Sequence, residues 1–242
     1  MTFDQFVFWA PRIVIACGAL TFPILFFITA GYGRHARSGQ VPAKLGWVVM
    51  ESPSVFFFAW AWITNPGFGR PLVTLLGVLW LAHYVQRTFV FPSLMRGPGR
   101  PMVWYVPLLA LLFNLLNSAP NGAALTERPL DAWVVLGVAL FVVGYAINLH
   151  SDHVLRTLRG PGESGYRIPH GGLYRWLSSP NYFGELLEWT GFAVAAQTLP
   201  AWAFVFFTAA NLVPRAWSNH RWYREKFADY PPARRAFVPY VW

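Results

Sequence analysis

Apolar side chains run in long blocks along this chain, separated by short clusters of glycine, proline, arginine and lysine. Seven blocks, at about 17 to 25 residues each, are long enough to cross a hydrocarbon core of ~30 Å as helices. They fall at about 10–30, 46–65, 71–91, 102–118, 131–150, 181–197 and 200–217, the last two divided around Leu199-Pro200. Seven helices of this length leave no room for a separate soluble domain. The pattern predicts an all-α integral membrane protein of seven transmembrane helices, one membrane domain over 1–242.

Composition narrows this further. With 55% apolar and only 12% charged residues, the chain has too little polar surface to coat a soluble globule. Its single cysteine, Cys17, sits in an apolar run, so neither a disulfide framework nor a cysteine metal site is available. Asp4 and the lack of a basic start before the first block argue against a cleaved signal peptide.

Charge sets an orientation. Arg34, Arg37 and Lys44 follow the first block, Arg87, Arg96 and Arg100 the third, and Arg156, Arg159, Arg167 and Arg175 the fifth. The tail adds Arg215, Arg221, Arg224, Lys226, Arg234 and Arg235, which brings 16 of the 19 basic residues to one side. Arg12, Arg70 and Arg128 fall on the other. Loops rich in Lys and Arg stay in the cytoplasm, so the N-terminus is expected outside and the C-terminus inside. The net charge of +9 is then a topology signal. Spread among short loops rather than gathered in one stripe, it does not point to nucleic acid, and nothing in the sequence points to an obligate protein partner.

Polar groups at membrane depth are costly and face a cavity or a partner. Glu51 lies in the second block, and Pro53 is expected to interrupt the helix there and free backbone carbonyls. Tyr84 and Arg87 are three apart and share a helical face. Asn148, Asp152 and Arg156 recur every four residues, with Arg159 close by; Asn181, Glu185 and Glu188 form a second stripe, and Arg215, Asn219 and Tyr223 a third. Any one stripe could be helix-to-helix glue. Together they suit a large polar ligand entering from the cytoplasm, since arginines pair with phosphates, Asn and carboxylates with amide and ribose groups, and tyrosine offers a stacking face. A charged nucleotide cofactor satisfies that inventory.

Other chemistries lack their motifs. There is no GxGxxG between a strand and a helix, no GxxxxGK[ST], and no HExxH among the six histidines; His150 and His153, three apart, make a poor metal pair, and no metal is expected. Gly160, Gly165, Gly171 and Gly172 with Pro161 and Pro169 read as turns, or as a glycine-rich loop that lets backbone approach a phosphate.

At this point the residues carry a resemblance. INLHSDHVLRTLRGPGESGYRIPHGGLY, SPNYFGELLEW and RAWSNHRWYREKFADYPPARRAFVPYVW, preceded by YGRHARSG, MESPS and HYVQRTFVF, resemble the steroid 5α-reductase family, the 3-oxo-5α-steroid 4-dehydrogenases, over about residues 32–242. The resemblance implies a seven-helix, multi-pass membrane enzyme with its active-site loops on the cytoplasmic side, among membrane lipids. It implies NADPH-dependent reduction of the Δ4 double bond of a 3-oxo-Δ4-steroid, by hydride transfer to C5 and protonation at C4.

Carried over residue by residue, it casts Glu51 and Tyr84 as the catalytic pair gripping the substrate carbonyl, with Met50 beside them. It assigns Tyr32, Arg87, Asn148, Asp152, Arg159, Tyr166, Arg167, Asn181, Glu185, Arg215, Asn219 and Tyr223 to the cofactor. Helices over about 1–118 would line the substrate cavity and about 131–242 would bind NADPH. Hydride delivery to the β-carbon of an enone builds negative charge on the carbonyl oxygen, so donors aimed at that oxygen lower the barrier. Two positions depart from the family pattern: Met50 stands where animal members commonly have Gln, and Ser218-Asn219-His220 where they are histidine-rich. The alternatives are an S-adenosylmethionine-dependent methyltransferase of the isoprenylcysteine carboxyl type, a reductase of another sterol or enone lipid, and a non-catalytic lipid carrier.

Overall fold

The computed structural model describes residues 1–28, 39–96, 99, 101–158, 160 and 165–242. Seven long helices follow one another: α1 (Phe3–Phe27), α2 (Ala43–Ile63), α3 (Pro71–Val85), α4 (Tyr105–Ala123), α5 (Ala132–Thr157), α6 (Pro180–Ala196) and α7 (Leu199–Lys226). α3 runs on through a π-helical turn, Gln86–Val90, into a last α-helical turn, Phe91–Leu94. Among the described residues there is no β-strand, only isolated bridges such as Leu177 to Arg235. The architecture is all-helical.

Local chemistry explains most boundaries. The first helix starts at Phe3, earlier than the apolar block predicted, because Thr2 and Gln5 form a reciprocal capping box. Pro71, Pro180 and Pro200 occupy first-turn positions, where a missing N–H costs nothing. The predicted division at Leu199-Pro200 is a tight turn: Gln197 takes a left-handed conformation (φ 54°) and the Thr198 hydroxyl accepts from Ala201 N–H.

The expected break at Pro53 does not occur. α2 continues through it. Pro53 has no N–H for the carbonyl of Val49, and the Ser52 hydroxyl donates to that carbonyl instead (3.0 Å), so the freed acceptor is satisfied within the helix.

One end of the bundle is closed by short polar caps. Asn65 Nδ2 donates to the carbonyls of Gly122, Ala123 and Leu125 at the end of α4. Glu127 accepts from the N–H groups of Leu72 and Val73 at the start of α3, where a carboxylate also suits the helix dipole. Phe3 meets Trp60 at this same end.

In the middle, Trp80 of α3 stacks on Phe58 of α2 (4.6 Å, 7°) and touches Tyr84, Trp189, Phe192 and Phe204, joining α2, α3, α6 and α7. α5 and α6 form the most extensive helix pair. Gly137 and Gly144 of α5 lie against the backbone of Ala195, Gly191, Glu188 and Gly184, and a Cβ on any of these glycines would collide with it. Glycines seven apart on two antiparallel helices thus bring the backbones into contact.

Burial runs opposite to that of a water-soluble globule. Asn114, Asn117, Ser118, Asn121, His83 and Glu188 are buried, whereas Leu20, Phe56, Phe57, Trp60, Val78, Leu109, Val135, Val142 and Trp202 are exposed. Among the described residues, α1 and α5 are long and apolar enough to cross a membrane by length and composition.

Candidate functional site

The polar residues of three helices meet at the end of the bundle away from the Asn65 and Glu127 caps. The close α5–α6 backbone contact places Asn148 beside the start of α6. Its Nδ2 donates to Asn181 O (3.0 Å) and reaches Glu185 (3.5 Å), and Asn181 Nδ2 donates to Asp152 Oδ1 (3.2 Å). The first two stripes are therefore one network.

The partner of Asp152 differs from the one its spacing suggests. Arg156, four residues on, turns to His153 (3.0 Å). Arg87 pairs with Asp152 instead, at 2.9 Å, both side chains nearly buried. The π turn beginning at Gln86 inserts an extra residue in the helical repeat and turns Arg87 toward α5, with its guanidinium over Trp47 (4.5 Å) and Phe91 (4.7 Å).

The third stripe joins at its edge. Asn219 Nδ2 donates to Ser179 Oγ (3.2 Å), the residue before α6. Arg215 is half-buried on the same helix. Tyr223 is buried and stacked on Tyr230 of the tail (5.2 Å, 4°), which takes one of the ring faces the sequence had offered to a ligand. The tail itself is tied down where Ser178 Oγ meets both His220 Nδ1 (2.6 Å) and Tyr230 OH (2.7 Å). Burial pushes the Tyr230 phenol above its ordinary pKa. Tyr166 sets its ring edge on Trp222, and Arg167 beside it is exposed. Tyr32 and Arg159 lie outside the described residues.

Glu51 and Tyr84 come from α2 and α3. Glu51 is half-buried and Tyr84 buried. Met50 is buried next to Glu51. Trp189 of α6 packs on Tyr84 (5.5 Å) and Arg87, three residues further on, reaches Asp152 of α5, so the α2–α3 pair and the α5–α6 network share one interior.

Two features escaped the sequence reading. His83 Nδ1 and Glu188 Oε1 are 2.8 Å apart, both buried, joining α3 to α6 beside Tyr84. Asn114 of α4 donates to Glu51 Oε2 (3.1 Å). The signal for the second was there: Asn114, Asn117, Ser118 and Asn121 repeat at i, i+3, i+4, i+7 through an otherwise apolar helix.

Fold and site thus define an all-helical protein with polar residues gathered inside the bundle beside an aromatic core, and with many large apolar residues facing outward. Comparison with known proteins identifies the family. The description 3-oxo-5-alpha-steroid 4-dehydrogenase matches residues 106–242. The chain is 41% identical over 243 residues to 3-oxo-5-alpha-steroid 4-dehydrogenase 1 of Bos taurus, covering 93% of each. It is 43% identical over 235 residues to the type 1 protein of Mus musculus (90% and 89% covered), and 40% identical over 243 residues to the type 2 protein of Homo sapiens (94% and 93%). The chain belongs to the 3-oxo-5-alpha-steroid 4-dehydrogenase, or steroid 5α-reductase, family of oxidoreductases.

Proposed function

We propose that this protein reduces the Δ4 double bond of a 3-oxo-Δ4-steroid with NADPH, giving the 5α-reduced 3-oxosteroid. The observation that carries this is identity of about 40% along more than nine-tenths of the chain to proteins bearing that enzyme's name. Those relatives carry a reductase's name, not a methyltransferase's or a carrier's.

The protein is an integral membrane protein with seven crossings, its N-terminus outside and its C-terminus and basic loops in the cytoplasm. The outward belt of Leu, Val, Phe and Trp supports this, as does the gathering of 16 of the 19 basic residues on one side. Helices such as α2 and α4 fall short of a simple hydropathy test because they carry Glu51 and Asn114 inward while keeping apolar faces outward.

The polar network suits the cofactor. Arg87, Asp152, Asn181, Glu185, Arg215 and Asn219 offer guanidinium donors for phosphates together with amides and carboxylates for ribose and carboxamide groups, and most are half-buried rather than sealed by protein. Asn148, Tyr166, Arg167 and Tyr223 complete the set from the same end, and Tyr32 and Arg159 belong to it by family resemblance. Bound NADPH supplies the hydride for C5. Helices α1–α4 enclose the steroid and α5–α7 hold the cofactor.

The chain's own contribution is electrostatic. As the enone is reduced, negative charge grows on the 3-oxygen; the Tyr84 hydroxyl and a protonated Glu51 donate hydrogen bonds to it, in a water-poor interior where such bonds count most. Met50 adds apolar contact and no donor.

The test is direct. Detergent-purified protein is given NADPH and testosterone or progesterone, while cofactor oxidation is followed and the product weighed. A product heavier by one H2, formed with NADPH and lost in Glu51→Gln, is the expected result. Tight NADPH binding without turnover of any Δ4-3-ketosteroid would reject the steroid assignment; absence of NADPH binding by folded protein would reject the reductase.

A further inference from the structure

An amide or hydroxyl buried without a partner is costly, so where polar side chains deep in an apolar bundle place their hydrogen bonds is informative. Asn114, Ser118 and Ser54 are 4%, 0% and 0% exposed. Their bonds run in one direction. Asn114 Nδ2 donates to Met50 O (2.6 Å) and to Glu51 Oε2 (3.1 Å), which commits both N–H groups of the amide. The Ser118 hydroxyl donates to the carbonyl of Asn114, one turn back on α4. Ser118 Oγ and Ser54 Oγ are 3.2 Å apart, a second tie between α4 and α2. The carbonyl of Ser54 is held in turn by Trp80 Nε1 (2.9 Å).

Two polar ties therefore join α4 to α2 behind the Glu51 carboxyl. Simple helix-to-helix glue would not need the carboxyl, because the carbonyl of Met50 alone would tie α4 to α2. Neighbouring groups cannot replace the amide: the Met50 thioether has no donor, and Glu51 has no other hydrogen-bond partner among the described residues.

We propose that Asn114 is a positioning residue for the reduction, holding the Glu51 carboxyl in place. An amide nitrogen only donates, so Oε2 is fixed as the accepting oxygen. Oε1 is left to present its hydrogen bond to the substrate. This rests on the assignment of Glu51 and Tyr84 to the substrate carbonyl.

The test separates the two ideas. Asn114→Leu keeps the volume and removes the donor. It is expected to lower kcat by about 10- to 100-fold, since small misplacements of a reacting group cost that much, while the dissociation constant for NADPH stays near wild type. Should Asn114→Leu not fold, the isosteric Asn114→Asp carries the same test. Wild-type kcat in whichever of these folds, with Glu51→Gln inactive, overturns the positioning role and leaves the reductase reading intact. Wild-type kcat in Glu51→Gln overturns the assignment of Glu51 itself.

Discussion

The two halves of the bundle handle buried polarity in opposite ways. Around α2, α3 and α4 the polar interior is mostly neutral and sealed: Asn114, Ser118 and Ser54 are fully engaged behind Glu51 and Tyr84. Around α5, α6 and the start of the tail it is charged and only partly covered, with Arg87, Asp152, Asn181 and Glu185 linked across three helices. Neutral donors locked by their own partners can answer a charge that exists only transiently, because they need not reorganise when it forms. Charged, half-open groups can receive a ligand that is itself charged. Under the proposed function, the contrast corresponds to chemistry in one half and binding in the other.

The sharpest blow to this division is Arg87→Ala, because Arg87 belongs to both regions. It leaves the nearly buried Asp152 carboxylate unpaired, and about 3–5 kcal/mol of stability should be lost along with NADPH affinity. A denaturation curve and a cofactor titration read both; an unchanged midpoint would mean that the pair is solvated in the folded protein.

Next is Tyr84→Phe, where kcat should drop by about 100- to 1000-fold as one donor to the developing oxyanion is removed, with NADPH binding nearly untouched. Comparable losses in the two quantities would erase the boundary between the halves.

Gly144→Val tests the mechanical basis of the binding half. Its new side chain meets the backbone of Glu188 and Gly184, which cannot yield as a flexible side chain would. Destabilisation of about 1–3 kcal/mol is expected, with weaker NADPH binding as Asn148 moves away from Asn181. An unchanged thermal midpoint would show that the helices can part without cost.

Smallest is Arg167→Ala, at an exposed position. NADPH affinity should fall by about tenfold, the worth of roughly one charge-assisted hydrogen bond, with kcat at saturating cofactor preserved. The opposite pattern, kcat lost and affinity kept, would move this loop into the chemical half.

Much of this was legible in the residues. Seven apolar blocks became seven long helices, and the stripe spacing brought Asn148, Asp152, Asn181 and Glu185 together, because an α-helix returns to the same face every three to four residues. What the residue spacing did not reveal depended on departures from that repeat. Arg156 has the right spacing for Asp152, yet a π turn in another helix supplies Arg87 instead. Pro53 looked like a break, yet a neighbouring serine hydroxyl satisfies the carbonyl it frees. The polar stripe on α4 was passed over because no motif names it.

The sequence by itself determined the all-helical class, the polar stripes of the last three helices, the asymmetry of basic charge and the family, because periodicity, composition and motif are properties of a single chain. Only the tertiary structure decided which helix answers which. That Asn114 reaches Glu51, that Arg87 rather than Arg156 meets Asp152, and that glycines seven apart bring α5 and α6 backbone to backbone are outcomes of packing. A buried polar group is tolerated only when a partner is within hydrogen-bonding reach, and in these helices that partner comes from another stretch of the chain.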